Sequence, residues 1–452
     1  MANSTDWSAS NPEHVQVRSG MMQLNVPLVV GSVVPVGPRC LADLQRGSAV
    51  EGDSGTSPLQ LPPWLNMERC LRVNRFWAEH AFSLTFSWHC SLVIGFSMPN
   101  LLEALVFTSA SDTPAKSLKR YMKTAQHLEE WHAGNIWDPA SKAYQSIQQV
   151  RRIHTGVRAA MEGHTTPSQH KWLSQYDMAT VQTGFMGAAT LFPQKFGMHI
   201  SQDAKNDFIY FWRCVGYQLG ISDEYNICSV GGEVSQGIVN EVIHKLLLPD
   251  IAHPPAEYES MAGAYIDGLN LIFLGIPFFT VKSTLAISYW GLGADGPPLG
   301  TLDKFRFLCM RMTLFLAGLL SPYRRLLSRA MRATVQQACG GITCLGGGCP
   351  FAGVPNSART PFPSGNAVGG CPFLAPRENQ AECQMVATCS PLALAIMVPL
   401  FVLLVTAALA LVSMTVLLFT LLQASGAAAW NNPATSVLHI FASAMSSLSH
   451  FL

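Results

Sequence analysis

From Pro63 to about Thr334, apolar positions recur every three or four residues, which is the spacing of one face of a helix. The pattern predicts helices over Trp64–Ala81, Phe82–Ser109, Ser117–Trp131, Lys142–Met161, Ser168–Gly187 and Asp203–Leu219. It continues over Glu233–Leu247, Pro255–Leu274, Val281–Leu292, Leu302–Leu319 and Pro322–Thr334. Gly, Pro, Asn or Asp punctuate the boundaries. Asp138-Pro139 precedes one segment, and Ser321-Pro322 sets a proline at a first helical position. Alternating strand-like runs joined by hairpin turns are scarce. The expected fold class is all-α, with a single large multi-helix domain over residues 63–334.

The apolar pattern changes character near the C-terminus. Pro391 to Leu422 carries no formal charge and no polar face, and about 20 apolar residues suffice to span a bilayer. A C-terminal transmembrane helix is therefore expected over 391–422, followed by a short tail, 423–452. Arg324, Arg325, Arg329, Arg332, Arg359 and Arg377 precede this run, and no Lys or Arg follows it. Basic flanks stay in the cytosol, so the expectation is a single-pass anchor with a cytosolic main domain. Three other segments are strongly apolar: Phe82–Ala110, Leu269–Trp290 and Phe305–Leu320. Each holds a break or charge, such as Pro99, Pro277 or Arg306, and is expected as a core helix. Residues 1–62 lack sustained periodicity and are expected as a flexible leader. Residues 335–390 read as a linker that twice carries Gly-Gly-Cys-Pro-Phe, at 347–351 and 369–373.

Composition sharpens this picture. Hydrophobic residues are 49% and charged ones 13%, against a globular norm of about 25% charged. Disorder as the main state is excluded. The formal net charge is +1, with no basic patch, so no nucleic-acid partner is expected. The twelve cysteines show no secreted-scaffold spacing and no Cys-x2-Cys zinc pair.

Two helices carry an unusual polar set for so apolar a chain. Arg120, Lys123, Thr124 and His127 fall on one helical stripe, and Arg151, His154 and Arg158 on another. A short connection with Gly134 and Pro139 lets the two helices pack side by side. Facing cations would repel unless an anion lay between them; a solvated basic face is the plainer reading of each stripe alone. His127 and His132 stand five residues apart, about 140° around a helix, and cannot converge on one zinc. No G-x-S-x-G elbow, P-loop or G-x-G-x-x-G supports nucleophilic or nucleotide chemistry.

Arg120-x-x-Lys123-Thr124 followed by His154-x-x-x-Arg158 resembles the signature of the latex-clearing rubber oxygenases. It is also similar to the endoplasmic-reticulum-bound oxygenase of mycophenolic acid biosynthesis. Trp212 to Ile221 is similar to this family too. The resemblance implies an all-α, haem-binding domain holding haem b. It assigns His154 as the proximal iron ligand, with Arg120 and Arg158 at the haem propionates or its distal side. It assigns Lys123 and Thr124 to the distal face near dioxygen, with Lys123 able to ligate iron if burial lowers its pKa. Glu103 is the candidate for the family's acid–base residue, and Arg311 or Arg324 for a late-helix arginine.

The expected function is therefore a membrane-anchored, haem b-dependent oxygenase of the lipid bilayer, with the endoplasmic reticulum as the expected compartment. It would act with dioxygen on a carbon–carbon double bond of an apolar, isoprenoid-like substrate. Two alternatives use the same features: a non-catalytic haem sensor or carrier, and a multi-pass membrane protein whose cationic stripe binds an anionic ligand.

Overall fold

The computed structural model describes residues 37–164, 171–273, 275–344, 390–400, 402 and 413–417. The chain runs through α1 (Leu41–Gln45), α2 (Met67–Gly95), α3 (Pro99–Thr108), α4 (Pro114–Ala133) and α5 (Lys142–His164). It continues through α6 (Gln175–Leu191), α7 (Gln202–Gln218), α8 (Gly232–Val242), α9 (Leu248–Ala252) and α10 (Tyr258–Asn270). Then follow α11 (Val281–Leu292), α12 (Thr301–Leu319), α13 (Ser321–Cys344) and α14 (Pro391–Leu400). No strand occurs among the described residues. The all-α expectation holds.

The long α2 is the central pillar. It packs against α13, α7, α6 and α11 and buries Trp77, Phe82, Leu84, Trp88 and Val93. Asn66 caps its start by accepting from the Arg69 backbone N–H. The sequence pattern breaks this stretch between Ala81 and Phe82. The helix instead runs unbroken to Gly95, because neither residue interrupts a hydrogen-bonded turn. The real break is at residues 96–98, where Pro99 opens α3 at its first turn.

Val281–Leu292 matches its expected bounds at both ends. Thr280 and Ser283 form a capping box, and Gly293 takes the left-handed conformation that closes the C-terminus. α6 starts later than its pattern suggests, at a Ser174–Asp177 capping box. Between α8 and α9 the chain widens into a single π turn, Ile243–Leu247.

Two expected boundaries shift. The leader expected over residues 1–62 gives way to packed chain by residue 37. Leu41 and Leu44 are buried, and Asp53 pairs with Arg151 of α5. Short helices with few local signals hid this segment; its contacts are with residues far away in sequence. At the other end, α13 continues past Thr334 into the expected linker. Residues 1–36, both Gly-Gly-Cys-Pro-Phe repeats, most of 401–422 and the tail lie outside the described residues.

Among the described residues no single helix is long and apolar enough to cross a membrane. The bent pairs α2–α3 and α12–α13, angled at 94° and 118°, reach that length and composition only together. The apolar segments within α2 and α11 are largely buried, as core helices should be. α12 is different. It buries Cys309, Met310, Leu314 and Ala317, yet leaves Phe305, Phe315 and Leu319 exposed. α14 rests on α13, with Leu392 N donating to Thr334 Oγ1 at 3.1 Å and Tyr323 Oη donating to the Ala395 carbonyl at 3.3 Å.

Candidate functional site

α3, α4, α5, α6 and α7 enclose a cavity of about 500 Å³. Arg120, Lys123, Thr124, His127 and His154 all line it. Four of the five residues singled out by the motif thus converge on one space, together with His127. Much of the remaining wall is apolar, including Leu105, Leu128, Val157, Val181 and Phe185.

His154 is enclosed by protein but keeps surface accessible from the cavity. Its Nδ1 has no hydrogen-bond partner. Burial, then Arg158 and Arg120, pushes its pKa down to about 4, so the imidazole is neutral near pH 7. A neutral imidazole with an unengaged nitrogen is a Lewis base available to a metal. His127 is held differently. Its Nδ1 lies 2.7 Å from Ser146 Oγ, which also accepts from Trp131 Nε1 at 3.1 Å. Its Nε2 is unpartnered, and burial followed by Lys123 holds its pKa near 4.

Arg120 is a guanidinium without a carboxylate. Nη1 donates to Thr108 Oγ1 at 3.0 Å and to Ser111 Oγ at 3.4 Å. Burial pushes its pKa down from the usual value. Such a cation calls for an anion in the cavity beside it. Lys123 Nζ donates to Gln126 Oε1 at 3.0 Å, and Thr124 Oγ1 donates to the Arg120 carbonyl at 3.2 Å.

The α5 stripe does not face the cavity as one unit. Arg158 lines no part of it. Its Nε and Nη2 donate to the carbonyls of Trp172 and Leu173 at 3.2 and 3.1 Å, and Glu51 lies 3.7 Å away. Arg151 is held by Asp53, with Nε donating to Oδ2 at 2.8 Å, and by the Thr56 carbonyl at 2.9 Å. Residues three apart differ by about 60° around a helix, while seven apart nearly eclipse. Arg151 and Arg158 therefore share one direction, toward residues 51–56, and His154 looks another way. Asp53 is the carboxylate that answers the α5 stripe, on the side away from the cavity. A haem contact for Arg158, expected from the motif, does not follow from this geometry.

Glu103 is exposed on α3 and lines no cavity, because it lies on the face opposite the buried Leu102 and Leu105. Arg311 stacks over Trp290 and Phe307, and Arg324 donates to the Ala317 carbonyl; neither lines this space. The carboxyl that does line it is Asp250, on α9 after the π turn, and burial raises its pKa. Asp177 lines it as well, but caps α6 through Ser174. Nothing in the local pattern marks Asp250, since the π turn that presents it has no sequence signature. Trp212, from the second stretch of resemblance, lines the cavity with an unpartnered Nε1.

A second cavity of about 280 Å³ adjoins the first. Thr124, Leu128, Thr180, Val181 and Phe185 border both. The π turn contributes to each, with Leu246 on the first and Leu247 on the second. The second cavity is lined mainly by Phe82, Phe86, Trp88, Leu92, Phe279 and other apolar groups, and Leu392 and Ile396 of α14 complete its wall.

Residues 74–249 match the family model described as "ER-bound oxygenase mpaB/B'/Rubber oxygenase, catalytic domain". The resemblance carried by Arg120, Lys123, Thr124 and His154 thus falls inside a matched oxygenase catalytic region. A solved structure titled "Structure of Latex Clearing Protein LCP in the closed state" is similar over 67% of this chain and 87% of that one. The identity is 17% and the TM-score 0.38. No curated protein sequence matches the chain. Among the described residues, no three His, Cys, Asp or Glu side chains gather into a metal site. A haem requires only one axial ligand from the chain, so a three-residue cluster is not what such a group would need.

Proposed function

We propose that this chain is a haem b-dependent oxygenase that uses dioxygen on a carbon–carbon double bond of an apolar, isoprenoid-like substrate. The observation that carries the reading is His154: a neutral imidazole, unpaired at Nδ1, lining a 500 Å³ cavity beside a guanidinium that lacks a carboxylate. Bound haem would supply the redox-active iron that engages dioxygen.

The chain's own residues do the rest. His154 offers the proximal ligand, and low pKa keeps its lone pair free at working pH. Arg120 is positioned to pair with a propionate carboxylate, which would supply its missing anion. Lys123 and Thr124 stand on the neighbouring helix and line the same cavity, where the Lys123 ammonium would add a donor beside a bound group once turned from Gln126. Asp250 is the carboxyl available to hold a proton in the cavity, in place of Glu103. The apolar wall excludes water and accepts a hydrocarbon chain. Cleaving one double bond with one dioxygen gives two carbonyl groups and needs no external reductant.

Membrane attachment belongs to the same proposal. Support comes from the charge-free run after Glu382, the exposed apolar groups of α12 and the exposed Leu394, Met397 and Val398 of α14. A cytosolic domain on the endoplasmic reticulum is the compartment this reading favours. Deleting residues 385–452 should release the protein from membranes; carbonate-resistant integration of the truncated chain would favour a multi-pass arrangement.

The deciding experiment is spectroscopic. The purified full-length protein should show a Soret band, and His154→Ala should lose most of its haem. Lys123→Ala should keep the haem with an altered spectrum. Haem loss in His127→Ala combined with a normal band in His154→Ala would refute this ligand assignment. A Soret band without dioxygen consumption on a polyisoprenoid would leave a haem sensor or carrier.

A further inference from the structure

The second cavity contains two polar groups that its apolar wall does not explain, the unpartnered Tyr121 hydroxyl and a histidine. His89, on α2, lines it and is buried. Its Nδ1 lies 3.0 Å from Tyr265 Oη, and its Nε2 has no hydrogen-bond partner. Burial alone drives its pKa down to about 3, so the ring is neutral at any working pH.

The tautomer follows from the hydrogen bonds. The 3.0 Å contact allows two tautomers, and the one in which Tyr265 Oη donates to His89 Nδ1 leaves fewer groups unpaired, since the reverse strands both the phenol proton and the Nε2 lone pair. The imidazole proton is then on Nε2, as a donor with nothing to donate to. The rings of Phe86, Phe279 and Tyr265 surround it, and a π face is a weaker acceptor than an oxygen lone pair. A buried unpaired donor is costly, and such exceptions call for a missing partner.

We infer that this cavity is a binding site for a neutral, apolar molecule carrying one hydrogen-bond acceptor, a carbonyl oxygen that receives the His89 Nε2 proton. A charged ligand is disfavoured, because no Asp, Glu, Lys or Arg lines the cavity. A pure hydrocarbon would leave the donor unpaired. A long-chain ketone or aldehyde fits both the wall and the donor. Its position beside the first cavity, across Thr124 and Phe185, suits a carbonyl product leaving the reacting centre. The site itself stands on the cavity; its link to a product rests on the oxygenase reading.

The test uses full-length protein in detergent micelles, with 2-dodecanone and dodecane as probes. The ketone should bind about tenfold more tightly than the alkane, the worth of one hydrogen bond. The carbonyl stretch of carbon-13-labelled 2-dodecanone should move to lower frequency on binding, relative to protein-free micelles. His89→Phe should remove both the preference and the shift while leaving haem content unchanged. Tyr265→Phe, a smaller change that keeps the ring, should weaken the preference by freeing the tautomer, so the test does not depend on one variant folding. Equal binding of ketone and alkane by the wild type, or an unchanged carbonyl shift in His89→Phe, would show an apolar or water-filled space only. Ketone binding is read without turnover, whereas the oxygenase reading depends on the Soret band and dioxygen use, so the two fail separately.

Discussion

The two adjoining cavities are bounded by some of the same residues but are built on opposite principles. The larger is braced by charge: Asp53 holds Arg151, backbone carbonyls hold Arg158, and hydroxyls hold Arg120. The smaller is braced by rings, with Phe86, Phe279 and Tyr265 around a single histidine. Low dielectric makes each unpaired polar group expensive in both places. The difference is in what each leaves unpaired. The larger leaves a Lewis base and a cation, which suit a metal complex and its carboxylates. The smaller leaves neutral groups only, the His89 ring and the Tyr121 hydroxyl, and these suit a carbonyl. A shared wall thus separates a chamber lined by cations and imidazoles from one lined mainly by aromatic and aliphatic side chains.

The widest break between them is expected from His154→Ala. Haem content, read by Soret absorbance per protein, should fall to a small fraction of wild type. 2-Dodecanone binding in the smaller cavity should persist within about twofold, because His154 lines only the larger cavity. Parallel loss of both would mean that the cavities are one cooperative site.

How much of this was legible in the sequence depends on contact range. Helices with local punctuation were readable: Thr280 and Gly293 fix both ends of α11. Arg120, Lys123, Thr124 and His154 were singled out by the resemblance, and the packing of α4 against α5 brings all four to one cavity. Arg158 does not join them, since its partners are the carbonyls of Trp172 and Leu173 in a loop. Asp53 lay in a stretch without periodicity, and only tertiary packing reveals it as a brace. Glu103 had the right chemistry but the wrong face of α3. His89 carries no signal in the local pattern, and its unpartnered nitrogen emerges only when Tyr265 and the cavity are placed beside it.

Acid offers a second way to test the contrast. His80 and His132 have pKa values near 4 and His89 near 3, each lowered chiefly by burial. In the unfolded chain these groups protonate near 6.5. Their contribution to stability is complete above that value and is lost as pH falls toward 4, because only the unfolded state takes up the protons. Each pH unit in that window costs about 1.4 kcal/mol per histidine. The unfolding midpoint should drop steeply between pH 6.5 and 4.5. His89→Phe should flatten this curve by one histidine's share; an unaltered slope would mean that His89 is protonated in the folded protein.

Removing the brace of the larger cavity is the third test. Asp53→Ala leaves Arg151 buried without its carboxylate, and breaking such a pair costs about 3–5 kcal/mol. Denaturant unfolding should show that loss, and haem affinity should fall with it because α5 carries both Arg151 and His154. Arg151→Met combined with Asp53→Ala should recover most of the stability, since no charge is then stranded. No recovery would mean that Asp53 has a second essential partner. Gly55 is the candidate, since its backbone N–H donates to Asp53 Oδ1 at 2.9 Å.

The smallest effect is expected from filling the apolar chamber. Gly184 lines it from α6, and a Cβ there would meet only Ser91 Cβ at 3.7 Å, an ordinary contact. Gly184→Ala should therefore be neutral or stabilising by up to about 1 kcal/mol, from helix propensity alone. Gly184→Leu extends a side chain into the space that a ligand would occupy. It should weaken 2-dodecanone binding about tenfold, equivalent to about 1.4 kcal/mol, with haem content unchanged. Because Gly184 stands one residue from Phe185 on the shared wall, this variant also tests how stiff that wall is. If the leucine repacks toward the larger cavity, the Soret band will shift while ketone binding survives. That result would place the chamber for the oily molecule on the other side of Phe185.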